Sequence, residues 1–91
     1  MHGNAMNSKQ IQEQIFTWAQ DNNFNAPYGV LSGEHTNQKG RKYLSVTFGR
    51  SRTLDATVEI YNRNFMIVRT NRHGSQVFKD VAEMQQFLES L

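Results

Sequence analysis

Residues 43–70 read YLSVTFGRSRTLDATVEIYNRNFMIVRT, and the spacing of apolar side chains within them decides the fold. Leu44, Val46 and Phe48 alternate with polar residues in a first run. Leu54, Ala56, Val58 and Ile60 do so in a second, and Phe65 and Ile67 stand two apart in a third. A period of two is what a sheet with one buried and one wet face requires. Asn62-Arg63-Asn64, between the second and third runs, has the composition of a tight turn, because asparagine bonds its own backbone and tolerates left-handed dihedrals. With Ile60 set opposite Ile67 across that hairpin, the buried face is Leu44, Val46, Phe48, Leu54, Ala56, Val58, Ile60, Phe65 and Ile67. The opposite face then carries Tyr43, Ser45, Thr47, Asp55, Thr57, Glu59, Tyr61, Met66, Val68 and Thr70.

Helices flank this centre. Ser8 is an N-cap by residue type, and Ile11, Ile15, Trp18 and Ala19 follow on one helical stripe. The polar run 20–23 ends that helix and Pro27 forbids its resumption. Residues 28–35 read as a first strand with weak alternation, and 36–41 as a polar loop turning at Gly40. Beyond the turn at 71–74, residues 75–78 suggest a short last strand. Asp80 with Glu83 three residues on predicts a capping box, opening a helix whose stripe is Val81, Met84, Phe87, Leu88 and Leu91. The expected fold is α+β: a single two-layer domain over residues 8–91, ordered α-β-β-β-β(-β)-α. Its sheet is a four- to five-stranded antiparallel meander with both helices on one face. Residues 1–7 are expected to form a disordered extension, and Met6 is an alternative start.

Ninety-one residues support one core and leave little for a deep catalytic cleft. With no cysteine there is no disulfide framework, thiolate zinc site or thiol nucleophile. No apolar run approaches the roughly 18 residues of a membrane span, and no charged-then-apolar leader opens the chain, so a cytoplasmic protein without membrane contact is expected. The histidines lack metal-ligand spacing and the glycines form no phosphate loop, so neither metal nor cofactor is expected.

The net charge of +2 hides an uneven distribution. Residues 39–79 hold nine Lys and Arg against Asp55 and Glu59, while the flanking segments are acidic. The sheet and its loops are basic and the helices are not. Lys39, Arg41, Lys42, Arg50, Arg52, Arg63 and Arg72 fall in or beside loops, where charge with hydrogen-bond donors suits phosphate oxygens. The competing reading is solubility, since any small sheet puts charge in its turns. Tyr43 and Tyr61 on the outer face offer a stacking platform, or an ordinary cross-strand pair.

The stretch Ala26-Pro27-Tyr28 … Ser32-Gly33-Glu34-His35 resembles the Pro-x-Tyr … Gly-x-x-His segment of double-stranded-RNA-binding domains, which also run α-β-β-β-α. That family opens its last helix with a lysine cluster on the phosphates. Here the helix opens Lys79-Asp80-Val81-Ala82-Glu83 and is acidic, so the resemblance does not extend to the family's phosphate contacts. RNA-cleaving toxins that use a reduced version of that fold carry a histidine after the first strand, and His35 occupies the similar position, in a loop.

These observations lead to a small non-catalytic module that engages nucleic acid or an acidic protein through basic loops. The alternative is a protein–protein module, of the kind phage-encoded inhibitors use, with Tyr61, Met66 and Val68 as its interface and a homodimer as one form. A ribonuclease-like enzyme using His35 is a distant third.

Overall fold

The computed structural model describes residues 6–25, 29–50 and 52–91. Its elements are α1 (Ser8–Asp21), β1 (Leu31–Thr36), β2 (Lys42–Arg50), β3 (Leu54–Asn62), β4 (Phe65–Thr70), β5 (Gly74–Phe78) and α2 (Val81–Glu89). The strands form one antiparallel sheet in the order β1-β2-β3-β4-β5, so the α+β meander is the observed architecture and β1 and β5 are its edges. Residues 1–5, the Pro27 break with the Pro27-Tyr28 part of the resemblance, and Ser51 lie outside the described residues.

Both helices cover the same face. Ile11, Ile15 and Ala19 of α1 and Met84 and Leu88 of α2 are completely buried with Val46, Phe48, Val58 and Ile60 of the sheet. The molecule measures 40 × 33 × 21 Å, and its shortest dimension has room for one helical layer on one sheet. The other sheet face is therefore covered only by its own side chains.

The helix ends show how local chemistry places the core. Asn7, not Ser8, is the N-cap: its side chain accepts from the Gln10 N–H, and the Gln10 side chain accepts from the Asn7 N–H in return. Met6 packs against the core beside it, so the ordered chain includes the last two residues of the expected extension. At the other end, Asn23 takes φ +59°, its N–H reaching the Gln20 carbonyl and the Phe24 N–H reaching that of Ala19. This is a complete Schellman motif with asparagine at the left-handed position. It delivers Phe24 into the core, against Trp18 and Phe48 at centroid distances of 5.1 and 5.2 Å. Asn23→Ala should lower stability by about 1 kcal/mol, because a Cβ without a compensating side-chain polar group pays the left-handed cost. A thermal melt should show a drop of roughly 4–8 °C, and no drop would mean the motif is not holding the helix end. The last helix starts as expected at Asp80, although its carboxylate accepts from Ala82 rather than from Glu83.

The hairpin register overturns a further expectation. β3 and β4 pair Ile60 with Met66 and Val58 with Val68, not Ile60 with Ile67. The turn-proximal pair is Asn62 with Phe65, so one extra residue, Tyr61, is accommodated on β3 as a bulge. A one-residue slip sends every side chain of a strand to the other face. Met66 and Val68 are accordingly buried completely under the helices, while Phe65, Ile67 and Arg69 lie on the outer face. Met66 and Val68 cannot serve as an exposed protein interface. Residues 65–68 are apolar at four successive positions, so alternation within β4 does not say which pair turns inward.

Candidate functional site

The strand register assembles a row of rings on the outer face. The β1–β2 pairing sets His35 opposite Tyr43, and their centroids are 5.3 Å apart. Tyr61, on its bulge, lies 5.1 Å from Tyr43, and Phe65 lies 5.0 Å from Tyr61. The interplanar angles are 31–35°. The rings are in contact in tilted pairs and form a continuous row across four strands. Tyr43 and Tyr61, the two platform candidates, do meet, but largely cover each other. Phe65, at the end of the row, is half-buried.

A polar layer continues beside the rings. His35 is a residue of β1 and not of the following loop, and its Nε2 lies 2.9 Å from Ser45 Oγ. Thr47 and Thr57 share a hydrogen bond across β2 and β3. Glu59 is nearly buried, yet ionised pairing is available: Arg69 Nε donates to its Oε2 at 2.6 Å, and the Tyr61 hydroxyl donates to Oε1 at 3.4 Å. Arg69 Nη1 also donates to Ser75 Oγ at 2.7 Å. The hydrogen bond to Glu59 holds the Arg69 guanidinium above its ordinary pKa against the opposing effect of burial. This is the only ion pair among the described residues.

The 37–41 loop stands over the same face. Asn37 organises it, its Oδ1 accepting from the backbone N–H groups of Lys39 and Arg41, each at 2.9 Å. Gly40 closes the turn at φ +81°, a left-handed conformation that favours glycine. The loop carries the Arg41 guanidinium to 5.1 Å from the Tyr61 ring and 5.4 Å from that of Phe65, within cation–π range. Between loop and β4 lies an open depression of about 500 Å³. Tyr61, Phe65 and Ile67 floor it, and Asn37, Gln38, Lys39, Arg41 and Arg69 surround it.

The seven loop cations do not share one surface. Antiparallel order puts Lys39, Arg41, Lys42 and Arg63 at one end of the sheet and Arg50, Arg52 and Arg72 at the other. The nine-residue strand β2 separates the ends by about 26 Å. At the second end, Arg50 lies 4.3 Å over the Phe24 ring and Arg72 Nε donates to the Thr53 carbonyl. Both therefore hold the fold. None of the seven loop cations, at either end, has a carboxylate within ion-pair distance among the described residues.

The residues that sequence reasoning did not group here are Asn37, Gln38, Phe65, Ile67 and Arg69. Phe65 was hidden, because the bulge that turns it outward has no local signature. No protein-family model, curated protein or solved structure matches the chain.

Proposed function

We propose that the protein is a non-catalytic binding module that engages nucleic acid through the sheet end bearing Lys39, Arg41, Lys42 and Arg63. The observation that carries this reading is the Arg41 guanidinium held over the Tyr61 and Phe65 rings beside a loop whose other cations lack acidic partners. A cation kept in place by ring faces rather than by a carboxylate retains its charge for an incoming anion. Turn solubility alone gives no reason to fix a guanidinium on two rings.

Three or four phosphate contacts from this cluster predict an affinity for single strands that falls roughly 20- to 50-fold between about 50 and 200 mM salt. Anisotropy of a labelled oligonucleotide titrated at both concentrations reads this directly. The Lys39→Glu, Lys42→Glu double variant should bind much more weakly at low salt and show a shallower salt dependence. Absence of binding at about 50 mM salt, or binding that ignores salt, would refute the reading. So would retention of polyglutamate in place of the oligonucleotide, which would point to an acidic-protein partner.

A further inference from the structure

The depression beside Arg41 combines features that bare phosphate recognition does not need. A phosphate is satisfied by cations and N–H donors, and gains nothing from the apolar floor of Tyr61, Phe65 and Ile67. The carboxylates of an acidic peptide likewise gain nothing from ring surface. A nucleobase presents a flat π face and polar edges, and carries a phosphate on either side. The exposed amide of Gln38, with both a donor and an acceptor, stands at the rim, and Lys39, Arg41 and Arg69 surround the floor.

Resting on the nucleic-acid reading above, we propose that this depression receives one unpaired base of a single strand, stacked on the Phe65 end of the ring row, with Lys39 and Arg41 taking the flanking phosphates. Stacking onto a floor walled by a raised loop requires a base free of its own neighbours, and in a duplex both faces of every base are already covered. Three local features hold the depression in shape. Asn37 fixes the loop, Arg41 rests on the rings, and the Glu59 pairing steadies Arg69. Preformed sites of about 300–1,000 Å³ are of the size that small planar ligands occupy. The opposite end of the sheet has its own cations, but the ring beneath Arg50 is Phe24, which is buried in the core, so it presents no open face on which a base could stack.

The test compares three labelled probes of equal length on the wild-type protein and on Phe65→Leu, each at about 50 and 200 mM salt: a single strand, the same strand with consecutive abasic sites, and the paired duplex. The intact strand should bind about 10-fold or more tighter than the abasic strand, the gap expected of a stacked base. It should also outcompete the duplex. Phe65→Leu should narrow the intact-to-abasic gap and leave the salt slope unchanged, since it removes ring surface and no charge. Equal affinity for all three probes would overturn the base-stacking proposal while leaving the polyanion reading intact. Failure of every probe to bind would remove that reading and the proposal together. A mononucleotide that displaces the strand as effectively as an unlabelled copy of it would also overturn the proposal, making a free nucleotide the ligand.

Discussion

Val68→Lys should unfold the protein, whereas Ile67→Lys, one residue away, should leave it folded. Val68 is completely buried beneath the helices and pairs with Val58 on β3 and Gln76 on β5. An ammonium placed there has no carboxylate to meet. It must either stay charged in an apolar layer or give up its proton and its hydration, and either course costs several kcal/mol. Small domains have only about 5–15 kcal/mol in total, so a loss of about 4 kcal/mol or more removes most of the folded population near physiological temperature. Ile67 is partly exposed on the other face and lies opposite Glu59, where a lysine finds water and a carboxylate. Its cost should stay within about 1 kcal/mol. Circular dichroism with thermal melts separates the two variants. A folded Val68→Lys beside an unfolded Ile67→Lys would restore the hairpin without its bulge.

The second large effect is expected at Phe48. Its ring is completely buried and is the point on which the post-helix segment docks, with Trp18 edge-on at 5.7 Å and Phe24 tilted at 5.2 Å. Phe48→Ala removes that ring from beneath the Schellman turn and opens a cavity in the core. For a completely buried phenylalanine the loss should reach about 3–5 kcal/mol, a fall in melting midpoint of at least about 12 °C. Trp18 is the only tryptophan and touches the site, so its emission should shift to the red in the folded variant and report the same transition. Phe65→Ala, on the partly exposed end of the ring row, should cost far less. Equal losses at the two positions would contradict the placement of one ring in the core and the other on the outer face.

The layer order, an antiparallel meander of four or five strands and most of the core followed from residue types alone; the fifth strand is shown by the fold. In β2 and β3 each apolar residue has polar neighbours, so only one face can be buried whatever the partner strand does. In α1 the stripe Ile11, Ile15, Trp18, Ala19 has one orientation that covers a sheet, and its end is written locally in Asn23 and Phe24. The uneven charge was equally legible, because loops keep their composition wherever they are folded to.

Three things were decided only by the assembled structure. β4 is apolar on both faces, and the register that buries Met66 and Val68 depends on the bulge at Tyr61, a property of two strands pairing and not of either one. The ring row joins His35 to Phe65 across four strands, and contacts between residues that far apart in the chain leave no periodic trace in it. The cations that look like one cluster by count are split between opposite ends of the sheet, because successive turns of an antiparallel meander alternate ends. Local pattern governs which face of an element is apolar; which residues become neighbours on the wet face is set by register, and register is a tertiary quantity.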